Sequence, residues 1–187
     1  MDRDPRPPSP DDATLYRRAR RGERAALAQL VDRHRDDLVR YLTRLTGDRG
    51  RAEDAAQDAF LRLLEGRGHY RPERGVFRAY LFRAGTHAAI GRFRRRQRWQ
   101  RLLPLLRNGT ATRQEPGQVR HVQAHETRER LRRALATLPL HYRSPLLLHA
   151  VDGWSYQEIA QALDCQIGTV KSRIFRARRQ LQEALES

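Results

Sequence analysis

Apolar residues recur at intervals of three and four along most of this chain, which is the spacing of one face of an α-helix. The first such run predicts one long amphipathic helix that Gly47 ends in a left-handed conformation. Its apolar positions are Leu27, Leu30, Val31, His34, Leu38, Tyr41, Leu42 and Leu45. We interpret His34 as a core or boundary residue, because no second metal ligand has suitable spacing nearby.

Two shorter runs predict two more helices of the same bundle. The apolar face of the first comprises Ala52, Ala55, Ala56, Ala59, Phe60, Leu63 and Leu64. The second follows the turn-like segment 66–75, and its apolar face comprises Phe77, Tyr80, Leu81, Ala84 and Ala88. Residues 1–11 are rich in proline and lack an apolar stripe, so we expect a disordered tail there.

The periodicity stops between residues 100 and 125, where prolines and glycines interrupt a polar sequence. This composition predicts a linker. Two short helices are expected beyond it. The first has apolar positions at Leu131, Leu135 and Leu138 and ends near Pro139, and the second has them at Leu146, Leu147, Leu148 and Val151 and ends at Gly153.

The last third of the chain has the pattern of a helix-turn-helix. Ser155 and Glu158 have the spacing of a capping box, and the helix that they begin has apolar positions at Ile159, Ala160 and Leu163. After a tight turn at 164–168, a final helix has apolar positions at Val170, Ile174, Ala177, Leu181 and Leu185. Its opposite side carries Lys171, Ser172, Arg173, Arg176 and Arg179, with Phe175 beside the apolar side. A recognition helix in the DNA major groove would use this segregation, and a bundle helix with a basic outer side is the alternative.

Together these elements predict an all-α fold of two small helical domains, 12–99 and 126–187, joined by a flexible linker at 100–125. A mean hydropathy of -0.84 requires the apolar residues to be concentrated in narrow stripes. Cys165 is the only cysteine, so no intramolecular disulfide can form, which favours a reducing compartment such as the cytoplasm. The chain has neither the apolar core of a signal peptide nor a run long enough to span a bilayer, so we expect no membrane insertion.

The charge balance indicates a polyanionic partner. Lysine and arginine number 38 against 22 acidic residues, which gives a net charge of +16. A GC-rich genome would explain why Lys171 is the only lysine, but it would not explain the net charge. The stretch Arg92–Trp99 interleaves aromatic residues with arginines, as suits a surface for phosphates and unstacked bases. A solvated helix end is the alternative for this stretch.

One helix face stands apart from this basic background. Asp54, Gln57, Asp58 and Leu61 share the side of the second helix opposite its alanines. Two carboxylates beside an exposed leucine predict a protein-binding surface, with a solvated face as the alternative.

Taken together, the two halves resemble the sigma-70 family, specifically the extracytoplasmic-function sigma factors of bacterial RNA polymerase. Segments 45–66, 71–84 and 93–96 resemble the family's region 2, and SYQEIAQAL with GTVKSRIFRARRQL (168–181) resembles its region 4. The resemblance covers nearly the whole chain. It implies a promoter-specificity subunit with no catalytic residue, cofactor or metal of its own.

The resemblance also implies roles for individual residues. The surface Asp54, Gln57, Asp58 and Leu61 would bind the coiled coil of the polymerase beta-prime subunit, and the helices before the recognition helix would meet the beta flap. The loop 69–77 would capture a flipped base of the minus-ten promoter motif. The minus-ten contacts would be Tyr70, Arg78, His87, Arg92, Arg94, Arg95 and Arg96. The minus-thirty-five contacts would be Thr169, Lys171, Ser172, Arg173, Phe175 and Arg176. An anti-sigma factor is a further expected partner.

Some positions depart from the family pattern. Thr86, His87 and Gly91 replace the usual residues of the minus-ten helix, and we expect Gly91 to kink that helix or to pack unusually closely. In the turn, Asp164 and Cys165 replace the usual residues. Aspartate tolerates a left-handed backbone, so the turn should persist, and Cys165 is expected to be a small buried apolar residue.

Two other functions are compatible with parts of the pattern. A helix-turn-helix regulator that binds DNA unaided would leave the surface at Asp54–Leu61 unexplained. A nuclease or integrase fragment would need a phosphate-binding glycine loop or a set of metal ligands, and the sequence has neither pattern. We reject zinc binding by His121 and His125, because no third ligand follows them in pattern.

Overall fold

The computed structural model describes residues 10–65, 70–71, 76–106 and 124–186. Every regular element in these ranges is an α-helix, which confirms the predicted all-α fold. The N-terminal unit comprises α1 (Asp12–Arg20), α2 (Arg24–Thr46), α3 (Arg49–Leu64) and α4 (Phe77–Leu106). The C-terminal unit comprises α5 (Ala124–Thr137), α6 (Leu140–Ala150), α7 (Tyr156–Leu163) and α8 (Ile167–Glu186). None of the described helices is long and apolar enough to cross a membrane.

In the N-terminal unit, α2 packs against α1, α3 and α4. It ends at Gly47, whose φ of 74° and amide bond to the Thr43 carbonyl at 2.8 Å confirm the predicted left-handed end. His34 is a boundary residue, as expected, because its Nε2 lies 2.8 Å from Asp12 Oδ2 and its ring packs beside Phe77.

The first helix, α1, was not predicted. It begins at Asp11, whose side chain accepts a hydrogen bond from the Thr14 amide at 2.7 Å. It buries only Leu15, Tyr16 and Ala19, which is too short a stripe to stand out by periodicity. Residues 10 and 11 of the expected tail therefore make defined contacts, and Arg33 donates to the Pro10 carbonyl at 2.8 Å.

The start of the predicted linker is also wrong. Helix α4 continues through residues 100–106, and α5 begins at Ala124. Four leucines, one glutamine and one arginine in residues 100–106 favour helix, and α4 continues past Pro104, the residue that had indicated a break.

Three apolar positions are more exposed than their spacing predicts. Leu64 ends α3 and is 42% exposed, Leu131 is 41% exposed, and Val151 lies beyond the last turn of α6 and is 51% exposed. Gly91 does not pack closely either, because no atom lies within 4 Å of the position that a methyl group would take there. The close approach occurs at Gly85, where a methyl group would lie 3.0 Å from Leu38 Cδ1 and 3.2 Å from Leu42 Cδ1.

The C-terminal unit has the predicted helix-turn-helix. The Ser155 hydroxyl accepts a hydrogen bond from the Glu158 amide at 3.2 Å, and the Glu158 carboxylate accepts one from the Ser155 amide at 2.8 Å. This reciprocal pair is the capping box that begins α7. Asp164 ends α7 with a φ of 51°, so aspartate does adopt the left-handed conformation expected of it. The turn is shorter than predicted, because α8 already begins at Ile167.

The two units pack against each other, chiefly through α4 with α7 and α2 with α6. Arg143 of α6 lies at the centre of this contact and is 7% exposed. Its guanidinium donates at 2.7 Å to the carbonyls of Leu45 and Ala136 and at 2.9 Å to that of Leu138, so it joins the ends of α2 and α5. Burial lowers the pKa of Arg143.

Polar and aromatic contacts surround Arg143. The Tyr41 hydroxyl lies 2.7 Å from Ser144 Oγ in the C-terminal unit and 2.9 Å from Thr86 Oγ1 in its own unit. Phe82 packs on Trp154 with ring centroids 5.0 Å apart. Two ion pairs cross the contact, Arg44 with Asp152 at 3.1 Å and Arg83 with Asp164 at 2.7 Å.

Candidate nucleic-acid interface

The outer side of α8 is the clearest candidate for DNA contact. Val170, Ile174 and Ala177 face the core, which turns Lys171, Ser172 and Arg176 to solvent. The other expected contacts divide by exposure: Phe175 is 68% exposed, and Thr169 and Arg173 are half-buried. Ser172 donates its hydroxyl proton to the Thr169 carbonyl at 3.0 Å, so it would meet DNA as an acceptor.

The turn before α8 sets the direction of this side. Asp164 closes α7 in the left-handed region, and the Cys165 amide donates to the Ala160 carbonyl at 3.0 Å. Cys165 packs against the core as expected but is half-buried rather than buried, and this partial burial raises the pKa of its thiol.

The arginines of α4 form a second basic surface. Arg94, Arg95 and Arg96 are exposed, and Phe93 between them and the core is 45% exposed. His87 is also exposed, and partial desolvation and the nearby Arg83 lower the pKa of its ring from its ordinary value.

Arg78 packs against the C-terminal unit, although 41% of its side chain stays exposed. Its guanidinium carbon lies 4.8 Å from the centroid of the Trp154 ring and 5.3 Å from that of Phe82. Its Nη2 lies 3.8 Å from Asp37 Oδ2. Arg78 therefore remains partly open to a DNA strand where the two units pack as in this structure, with one side of its guanidinium against Trp154.

Tyr70 is a core residue rather than an open stacking surface. Its ring is 8% exposed and meets those of Tyr16 and Phe77 edge-on, each at a centroid distance of 5.2 Å. We therefore expect Tyr70 to anchor the loop 69–77, the expected base-capture loop, on the core rather than to stack on a base itself. Residues 66–69 and 72–75 of that region lie outside the described part of the chain.

The acidic and apolar surface on α3 is arranged as its spacing predicts. Asp54 and Gln57 are exposed, Leu61 is 44% exposed, and Asp58 lies closest to α4 with 27% of its side chain exposed. Beside it, a groove of about 750 Å³ runs between α3 and α4. Its lining residues are Asp58, Leu61, Arg62, Glu65, Arg92, Arg95 and Arg96.

Arg92 joins two sets of residues that the sequence assigned to different partners. Its Nε and Nη2 donate to the two oxygens of Asp58 at 2.8 and 2.9 Å, and its Nη1 donates to Asp54 Oδ2 at 3.0 Å. The hydrogen bonds from Arg92 lower the pKa of Asp58. The sequence did not predict the pairing of Arg92 with Asp58, because the two residues are far apart along the chain. The available signal was the opposite charge of α3 and α4 on neighbouring faces.

Within the described ranges, no cluster of three or more histidine, cysteine, aspartate or glutamate side chains has a metal-binding arrangement. His121 and the side chain of His125, which the sequence argument rejected as zinc ligands, lie outside those ranges.

Comparison with known families divides the chain as its two halves suggest. Residues 30–99 match the family model for sigma-70 region 2, and residues 128–181 match the model for sigma-70, region 4. The first match begins within α2 and ends with the basic stretch of α4, which it includes. The second begins within α5 and ends within α8.

Individual relatives agree with these models. The chain is 34% identical over 171 residues to the ECF RNA polymerase sigma factor SigE of Mycolicibacterium smegmatis, covering 88% of this chain and 64% of that relative's length. It is 28% identical over 182 residues to the RNA polymerase sigma-H factor of Pseudomonas aeruginosa, covering 94% of each.

Solved structures share the fold. CnrH, in complex with the cytosolic domain of CnrY, is 26% identical with a TM-score of 0.65, and the match covers 94% of this chain and 97% of CnrH. The sigma factor RpoE in complex with the anti-sigma factor NepR, from Bartonella quintana, has a TM-score of 0.63 at 24% identity, covering 85% of this chain and 96% of RpoE. The two family models, in this order and on these helices, establish that the chain belongs to the sigma-70 family of RNA polymerase sigma factors, in its extracytoplasmic-function group.

Proposed function

We propose that this sigma factor binds core RNA polymerase and directs it to promoters through both of its helical units. The α3 surface of Asp54, Gln57, Asp58 and Leu61 binds the beta-prime coiled coil, and α5–α7 meet the beta flap. The observation that carries the proposal is the combination, on one chain, of an acidic and apolar surface with a basic recognition helix. A regulator that acts without polymerase has no use for the first of these.

Helix α8 reads the minus-thirty-five motif. Its exposed residues Lys171 and Arg176 lie within its first three turns, the part of a recognition helix that meets base edges. An arginine fork recognises guanine through two hydrogen bonds, which contributes about 1 to 3 kcal/mol of discrimination. Phe175 supplies apolar contact with thymine methyl groups.

Helix α4 holds the opened minus-ten strand. Arg94, Arg95 and Arg96 bind its phosphates, and stacking of unpaired bases contributes about 1 to 3 kcal/mol per base on aromatic side chains. Catalysis belongs to the polymerase. The sigma factor works where it binds the polymerase, in the cytoplasm at the nucleoid. An anti-sigma factor is a further partner, and the similar structure of the sigma factor RpoE, in complex with the anti-sigma factor NepR, supports this.

Run-off transcription with core polymerase on genomic fragments tests the proposal. We expect defined start sites only when the chain is added. Arg176→Ala should weaken promoter-specific transcription by an amount equivalent to about 1 to 3 kcal/mol of recognition free energy, without weakening polymerase binding. An equal loss on scrambled promoters would contradict the role of Arg176. Promoter binding by the chain alone, with no effect of polymerase, would favour the independent regulator.

A further inference from the structure

We propose that Arg92 is a positioning residue for polymerase binding: it holds Asp54 and Asp58 in the arrangement that the core enzyme recognises, and it does not contact the promoter strand. This inference rests on the proposed function of the α3 surface. It moves Arg92 out of the minus-ten contacts expected from the sequence.

The hydrogen bonds of Arg92 carry the argument. Three of its nitrogens donate to carboxylates, at 2.8 and 2.9 Å to the two oxygens of Asp58 and at 3.0 Å to Asp54. The planar guanidinium fork thus fixes two side chains that start one helical turn apart on α3. A phosphate approaching Arg92 would have to compete with these two carboxylates for the same donors.

The surroundings distinguish Arg92 from the other arginines of α4. Arg94, Arg95 and Arg96 are exposed, whereas the side chain of Arg92 is 39% exposed and turned to α3. Asp54 remains 58% exposed after pairing, so a partner protein can still reach it. Fixing these carboxylates before binding reduces the entropy that is lost when the complex forms.

Net charge alone predicts the opposite effect from positioning. Removing the positive charge of Arg92 makes the α3 surface more negative, which would strengthen attraction to a basic partner. If Arg92 acts by holding the carboxylates, its removal weakens binding instead. The sign of the change therefore separates the two explanations.

The test measures the affinity of the full-length chain for core polymerase. We expect Arg92→Met to weaken it about tenfold, which corresponds to about 1.4 kcal/mol, and Arg92→Lys to have an intermediate effect, because an ammonium group cannot form the fork. Arg49→Met is the matched control, since Arg49 also pairs with an α3 carboxylate, Glu53, at 3.0 Å. It removes the same charge outside the proposed surface and should leave the affinity within about twofold of wild type.

A second measurement separates positioning from DNA contact. At saturating core polymerase, Arg92→Met should direct promoter-selective transcription as well as wild type does. Unchanged or tighter core binding by this variant would overturn the inference, and so would selectivity that stays low at saturation. Failure of the wild-type chain to bind polymerase would instead overturn the proposed function.

The double variant Asp54→Asn with Asp58→Asn distinguishes a loss of positioning from misfolding as the reason why Arg92→Met binds polymerase more weakly. If Arg92 acts through these carboxylates, Arg92→Lys should lose affinity in the wild-type background and little more in the double variant. Equal losses in both backgrounds would overturn the inference. Circular dichroism of every variant establishes that each is folded before binding is compared.

Discussion

At the scale of single residues, two glycines of α4 have opposite environments. Gly85 packs against Leu38 and Leu42, whereas no atom lies within 4 Å of a methyl group placed on Gly91. Alanine favours a helix interior over glycine by about 1 kcal/mol, so Gly91→Ala should raise the free energy of unfolding by about that amount. Thermal or urea unfolding measures it. A loss of stability would mean that Gly91 has a packing role that its surroundings do not indicate.

The same substitution at Gly85 should have the opposite effect. A methyl group there would lie 3.0 Å from Leu38 Cδ1, and overpacking of a core costs about 1 to 3 kcal/mol, which exceeds the gain in helix propensity. We expect Gly85→Ala to lower the free energy of unfolding in the same assay. Stabilisation by both substitutions would show that the leucines can shift to make room.

The pairing of Asp58 with Arg92 makes stability depend on pH in the acid range. Hydrogen bonds from Arg92 lower the pKa of Asp58 from its ordinary value of 3.8. A carboxyl group with a lowered folded-state pKa contributes its stabilisation fully above its unfolded pKa and loses it as the pH falls through the folded value. The stability difference between wild type and Arg92→Met should therefore be constant near neutral pH and decrease below pH 3.8. A difference that does not change with pH would contradict this account.

Residue-level prediction from the sequence succeeded for positions and failed for pairings. The spacing of Asp54 to Leu61 placed these residues together on one face, and the structure has them there. The spacing could not show that Arg92 pairs with Asp58, because that depends on how α4 is rotated against α3. Nor could it show that Tyr70 is buried, since its partner Tyr16 lies on a helix that the pattern did not reveal.

At the scale of elements, the capping box determines where α7 begins. Loss of a side-chain cap costs about 0.5 to 2 kcal/mol, so Ser155→Ala should lower the free energy of unfolding by about 1 kcal/mol. Ser155→Asp should retain most of the stability, because its carboxylate can accept the same amide hydrogen bond. Equal losses in the two variants, measured by urea unfolding, would mean that the cap does not contribute.

Helices with long apolar stripes or distinctive ends were predictable. Gly47, the Ser155 cap and the left-handed Asp164 were all identified from residue type and spacing, and each has the expected geometry. The nine-residue α1 and the extension of α4 to Leu106 were not. Helix α1 depends on the tertiary packing of a short stripe, and the extension of α4 has no regular stripe, so periodicity identifies neither.

At the scale of the whole molecule, the packing of the two units could not be predicted from the sequence. It depends on scattered residues such as Arg143 and Trp154. Their positions in the sequence are equally compatible with contacts inside the C-terminal unit alone. The contact has a direct bearing on function, because Trp154 packs on Arg78, an expected contact of the minus-ten strand.

Reversing one charge in this contact should separate the units. Asp152→Arg places two arginines where Arg44 and Asp152 now pair at 3.1 Å. We expect a larger radius of gyration by small-angle X-ray scattering. A single-stranded minus-ten oligonucleotide should also bind more tightly, because the side of Arg78 that now packs on Trp154 becomes accessible as well. Adding Arg44→Asp should restore the compact form. A radius of gyration that stays at the wild-type value in Asp152→Arg would contradict the role of this ion pair.

The Tyr41 hydroxyl shows that such a separation need not disturb the N-terminal core. Thr86 donates its only hydroxyl proton to the Phe82 carbonyl at 2.8 Å, so Tyr41 must donate to Thr86 and Ser144 must donate to Tyr41. When the units part, water can replace Ser144 as the donor while the proton of the phenol stays on its bond to Thr86. Separation of the two units would therefore leave both the Tyr41 and the Thr86 hydroxyl protons on their present acceptors.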